Sequence, residues 1–147
     1  MPVISRKSRY WVPLAAGIAG VLALLLTGQI WLARRDTPTE LKFLTVTDNI
    51  DGSTKAPGPG LSSIPSETPS IYAAVRVTTR RKTTVTAKWY QNEHHLDDVD
   101  TELAIDRSSG SWIDFHISTV GPWPAGNYRV ELYIGEDLMV QQAFRVG

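Results

Sequence analysis

The residues best suited to chemistry stand together in "NEHHLDDVDTE", positions 92 to 102, which carries Glu93, His94, His95, Asp97, Asp98, Asp100 and Glu102. Imidazole and carboxylate groups hold zinc, and alternating carboxylates hold calcium, so His94, His95 and Asp97 are the first candidates for metal ligands. Two features argue against a site. Adjacent side chains on an extended chain point to opposite sides, which separates His94 from His95. The segment also lacks the glycine-bearing loop of a calcium hand. A hairpin tip or edge strand kept soluble by its acids accounts for the same residues, and no metal or other cofactor is assigned. His116, beside Asp114 on the outward register of its strand, reads as a surface histidine.

Serine, histidine and aspartate all occur, yet no Gly-x-Ser-x-Gly elbow and no glycine-rich phosphate loop is present. "SSGS" at 108 to 111 is turn chemistry, and without an acid, base and nucleophile in one constellation the chain reads as a non-enzyme. "RRK" at 80 to 82 is a solvated turn whose charges would suit anionic headgroups or wall polymer. Tyr72, Tyr90, Trp112 and Tyr133 all fall on outward registers, where aromatic rings would form a platform for a protein or a sugar.

The elements that would position these residues are strands. From Ser70 onward the apolar period is close to 2, with Ile71, Ala73, Val75 and Val77 on one face, then Val85, Ala87 and Trp89. Val99, Leu103 and Ile105 continue the rhythm, followed by Ile113, Phe115 and Ile117, and by Tyr128, Val130, Leu132 and Ile134. Gly135 and Glu136 suit a two-residue hairpin turn, with Leu138, Val140, Phe144 and Val146 returning. Gln142 falls on the inward register of that strand, which predicts a bulge or frayed edge near Gln141 and Gln142. Residues 41–50 form a first strand, and 51–70, rich in Pro, Gly and Ser, form a loop or linker. About seven short strands and no helical period after the apolar stretch that ends at residue 33 predict an all-β fold, an antiparallel two-sheet sandwich, with a small closed barrel as the alternative.

The closing stretch "WPAGNYRVELYIGEDLMVQQAFRV" resembles the final hairpin of immunoglobulin-like and fibronectin-like β-sandwiches found outside the membrane in bacteria. The matching positions are Trp123, Pro124, Gly126 and Tyr128 at the corner and Phe144 and Val146 at the close, with Gly135 making the hairpin. Trp89 looks like the core tryptophan of such domains, although no cysteine pair flanks it. The resemblance implies structural roles for these residues, with Tyr128 acting like a tyrosine corner, and it implies almost nothing about function.

Ahead of the strands lies "WVPLAAGIAGVLALLLTGQIWLA", residues 11–33, uncharged and bracketed by Arg6, Lys7 and Arg9 before it and Arg34 and Arg35 after. As a helix it would reach about 35 Å, enough to cross a hydrocarbon core of about 30 Å. An uncleaved single-pass signal anchor is predicted rather than a cleaved signal peptide, because the small-residue spacing of a cleavage site is lacking. The basic flank puts residues 1–10 in the cytoplasm and the sandwich, residues 34–147 with main strands over 71–147, outside it. Small residues at Ala16 and Gly20 leave room for a homodimer through the helix.

Lys plus Arg equals Asp plus Glu at 15 each, which removes the charge excess that recruits nucleic acid, and 147 residues suffice for one domain and an appendage. The absence of cysteine excludes disulfides, thiolate metal sites and a cysteine nucleophile. A membrane-anchored sandwich with a protein partner in the envelope is the expected function. A glycan- or metal-binding module is the alternative, and an envelope hydrolase is third.

Overall fold

A computed structural model describes residues 39–147, so the cytoplasmic tail and the spanning helix expected over 1–33 lie outside the described residues. Among those described, no helix is long and apolar enough to cross a membrane.

The chain forms β1 (Thr39–Thr47), β2 (Ser63–Ile64), β3 (Ser70–Thr79), β4 (Thr83–Gln91), β5 (His94–His95), β6 (Thr101–Ile105), β7 (Ser108–Ser118), β8 (Gly126–Ile134) and β9 (Asp137–Val146), with one 3₁₀ turn at Asp97–Val99. One sheet has the order β1-β3-β7; the other runs β2-β9-β8-β4-β5, with β6 on the first half of β4. Every pairing is antiparallel except β2 with β9. No strand is shared between the two sheets, so the closed barrel is not formed among the described residues. β1, β3 and β7 take the places of strands A, B and E of an immunoglobulin-like sandwich, and β4, β8 and β9 those of C, F and G.

The period-2 strands drive this arrangement, because each must bury one face against the other sheet. Val75, Val77 and Phe115 from the smaller sheet meet Val85, Trp89, Val130 and Leu132 from the larger in one core. Trp89 is fully buried and packs edge-on against Phe144, ring centres 6.3 Å apart. Each such apolar side chain contributes about 1.5–3 kcal/mol on burial, and with no disulfide this packing holds the sheets together. Trp89 Nε1 is buried and finds no acceptor.

Of the two readings for 51–70, the segment is a loop of the sandwich and not a free linker: β2 within it pairs with β9 at Arg145 and Val146, and Ile64 is fully buried in the core. A strand of two residues is too short to show a period. Asp51 closes the preceding turn, its carboxylate accepting from the backbone N–H groups of Thr54 and Ser53, and these bonds with the two hydroxyls hold it well below the usual carboxylate range. The apolar rhythm over 99–105 is not a buried face, because Val99 lies in the 3₁₀ turn and Leu103 is exposed at the margin of the sheet; only Ile105 is buried.

The bulge expected in β9 near Gln141 and Gln142 is present and falls at Met139. The register steps from Leu132 opposite Val140 to Tyr133 opposite Leu138, leaving Met139 without a partner and turning Leu138 outward. Glu131 keeps the outward register that the alternation gives it, yet it is only 7% exposed. β1 carries a second bulge, where Phe43 takes φ +59 with its ring in solvent. Bulges on both strands interrupt edges that would otherwise template pairing with another chain.

Candidate binding face

The outer face of the larger sheet carries a connected polar and aromatic cluster. On β4 and β8 the alternation that sends Trp89, Val130 and Leu132 inward sends Lys88, Tyr90, Arg129, Glu131 and Tyr133 outward, and the pairing sets Tyr90 opposite Arg129 and Lys88 opposite Glu131. Arg129 Nε donates to Glu131 Oε1 at 2.8 Å, and the Tyr133 hydroxyl donates to Oε2 at 2.5 Å. The guanidinium lies over the Tyr90 ring at 4.4 Å, and Lys88 Nζ lies over Tyr133 at 4.8 Å.

The network explains how a carboxylate survives at this depth. Burial alone would raise the pKa of Glu131, but hydrogen bonds from Tyr133, Arg129 and Tyr90 and the arginine's charge outweigh it, so the group is held below its ordinary value. The same bond pushes the Tyr133 phenol up to about 12, while burial and then the Glu131 charge raise Tyr90. Arg129 is held more firmly charged, first by Glu93 and, against the cost of burial, by Glu131. These side chains hold one another in place through the network.

Glu93 joins from the β4–β5 turn, both carboxylate oxygens within 2.9 Å of Arg129 Nη1. Asn92 and Glu93 take φ +46 and +66, the mirror-image turn that fits a two-residue hairpin. Asn92 is further tied to β8, accepting from Asn127 N at 3.0 Å and donating its own N–H to Asn127 O at 2.7 Å. Beside the turn lies a groove of about 280 Å³ lined by Tyr90, Glu93, Asn127, Arg129 and Arg145.

The four aromatics expected on one platform are divided between two faces. Tyr90 and Tyr133 lie on the larger sheet, whereas Tyr72 and Trp112 lie on β3 and β7 of the smaller one, Tyr72 with its ring 5.4 Å from His116. Alternation assigns a residue to a side of its strand but does not say which sheet the strand joins. The buried Glu131, which organises the cluster, was missed because an acidic residue on an outward register looks solvated; its signal was the Arg-x-Glu-x-Tyr spacing at 129, 131 and 133.

The histidine and acid segment has other commitments. His95 stacks on Tyr90 at 5.0 Å and its Nε2 is 2.8 Å from Asp100 Oδ1. His94 is exposed opposite Gln91, Asp97 lies in the 3₁₀ turn, and no three metal-ligating side chains converge among the described residues.

The residues at the corner do structural work. The Tyr128 hydroxyl donates to Pro124 O at 2.8 Å, its ring stacks on Phe144 at 5.5 Å, and burial pushes its phenol up. Trp123 Nε1 donates to Thr68 O at 2.6 Å, tying the corner to the loop before β3. Gly126 is crowded, since a Cβ there would stand 2.7 Å from Asn92 Oδ1, and Gly135 takes φ +59 at the first position of the β8–β9 turn.

No protein-family model matches the chain, and no curated protein does. Among solved structures it is similar to an immunoglobulin-like protein from Pseudomonas aeruginosa, with TM-score 0.49 and 14% identity over 76% of this chain and 94% of that one. It is also similar to part of an alkylpurine DNA glycosylase from Pseudomonas fluorescens, with TM-score 0.46 and 13% identity over 74% of this chain and 30% of that one. A third is the sensor domain of an anti-sigma factor from Pseudobacteroides cellulosolvens, with TM-score 0.41 and 11% identity over 76% and 96%.

Proposed function

We propose that this chain is a non-catalytic, single-pass membrane protein that displays an immunoglobulin-like sandwich outside the cytoplasm, where the outer face of the larger sheet binds another protein of the envelope. The observation that carries this reading is the Tyr90–Arg129–Glu131–Tyr133 cluster. Tyrosine and arginine are the side chains that most often anchor protein interfaces, and here both are already immobilised, which lowers the entropy lost on binding. The anchor is supported by the uncharged stretch 11–33 with its basic flank.

Co-purification from detergent-solubilised native membranes tests the proposal with the full-length chain. Lys88→Glu and Gln141→Arg, on the outer face, should each remove a defined partner, whereas Trp112→Ala on the opposite sheet should leave it bound. Loss with Trp112→Ala alone would assign binding to the other face.

A further inference from the structure

A second feature lies at the end of the sandwich where the chain enters it. Thr39, the first residue of β1, is opposite Thr79, the last of β3, and Thr79 in turn is opposite Ser108, the first of β7. That end therefore gathers the β3–β4 turn and the β6–β7 turn around a recess of about 550 Å³ lined by Thr78, Thr79, Arg80, Arg107, Ser108 and Ser109.

No acid lines it; the Thr79 and Ser108 hydroxyls already donate to Arg81 O and Val77 O, which leaves the side chains of Thr78, Arg80, Arg107 and Ser109. Arg80 and Arg107 are exposed, and neither has an ion pair or hydrogen bond among the described residues. The hydroxyls of Thr78 and Ser109, which sit directly opposite each other, are also unengaged. Acidic residues of the neighbouring turns, Asp106, Glu136 and Asp137, do not line the recess. A bulge sets the geometry: the register shifts after Val77, Gly110 takes φ +104, and Arg76 Nε holds Gly110 O at 2.8 Å. A Cβ at Gly110 would stand 2.8 Å from Arg76 Nη2, so the arginine closes over a position that only glycine fills.

Two guanidinium groups and two free hydroxyls around one recess suit the oxygens of a phosphate. We infer that this recess binds the phosphate of anionic lipid headgroups and so seats the sandwich on the bilayer that anchors it. The inference rests on the membrane reading of residues 11–33, and the length of the tether favours lipid over free phosphate. Five residues, 34–38, separate the apolar stretch from Thr39. Even a fully extended chain of that length spans only roughly 20 Å, an upper limit on how far Thr39 can stand from the end of the apolar stretch.

The full chain in lipid nanodiscs provides the test, read by hydrogen exchange at backbone amides of 78–82 and 106–110. With about 30% phosphatidylglycerol in phosphatidylcholine, exchange there should slow about threefold relative to phosphatidylcholine alone, and Arg80→Gln with Arg107→Gln should restore the faster rate without changing the melting temperature. Equal exchange in both lipids overturns the inference while leaving the anchor intact. Equal slowing by inorganic phosphate in phosphatidylcholine discs assigns the recess to free phosphate and overturns the lipid source. Chain released from native membranes by alkaline carbonate overturns the anchor itself.

Discussion

Arg129→Ala is the perturbation that most directly probes the outward cluster. The substitution removes the bond to Glu131, whose side chain is only 9% exposed, and leaves that carboxylate to the tyrosines. Breaking a buried ion pair costs about 3–5 kcal/mol, but the remaining phenol donors bring this to the lower end, about 2–3 kcal/mol. The cation over Tyr90 adds about 0.5 kcal/mol, and the contact with Glu93, 82% exposed on the acid's side, adds almost nothing. The sum is about 3 kcal/mol, or roughly 12 °C in Tm for a domain of this size.

The pH dependence carries a second signature. Glu131 titrates below its ordinary value in the folded chain, so its contribution is fully present above the unfolded carboxylate's pKa and is lost as pH falls through the lower folded value. Removing Arg129 takes away one of the interactions that depress it, and the acid limb of the stability curve should become shallower. Urea unfolding of wild type and variant between neutral pH and the carboxylate range reads both effects. A cost below about 0.5 kcal/mol with an unchanged acid limb would refute a buried, arginine-dependent carboxylate.

Further predictions concern single positions. Tyr128→Phe loses the bond to Pro124 O and should cost about 1–2 kcal/mol by urea denaturation with the fold retained; no loss would mean the corner is held by packing alone. Gly135→Ala meets no atom within 4 Å yet needs φ +59, so backbone strain alone should cost about 1 kcal/mol in the same assay. Glu93→Gly replaces a side chain at φ +66 in a turn that prefers glycine there, and despite losing an exposed ion pair it should raise stability by about 0.5 kcal/mol; a lower Tm would show that the Arg129 contact outweighs the strain.

The fold was legible wherever one strand face is buried. Val85 to Trp89 and Tyr128 to Leu132 announce their inward sides because apolar and polar residues alternate, and Ile71 to Val77 does so apart from Ala74, a small apolar residue buried on the other side of its strand. It was not legible where the chain breaks that rule: Ile64 anchors a two-residue strand inside a proline-rich loop, and Met139 shifts the register by one residue where nothing in its type requires a bulge. The candidate site was half visible. Tyr90 and Tyr133 could be placed outward, but their union with Arg129 depends on β4 pairing with β8, a contact between segments about forty residues apart that no local pattern encodes. Tyr72 and Trp112 share the same pattern and lie on the opposite sheet.

Site-specific photo-crosslinking in native membranes tests the proposed binding face most directly. A photoreactive side chain at Gln141, beside Glu131 on the larger sheet, should yield one defined protein adduct, and the same group at Trp112 on the smaller sheet should yield none. Adducts of equal yield at both positions, or at Trp112 alone, would contradict a partner held by the β4–β8 face.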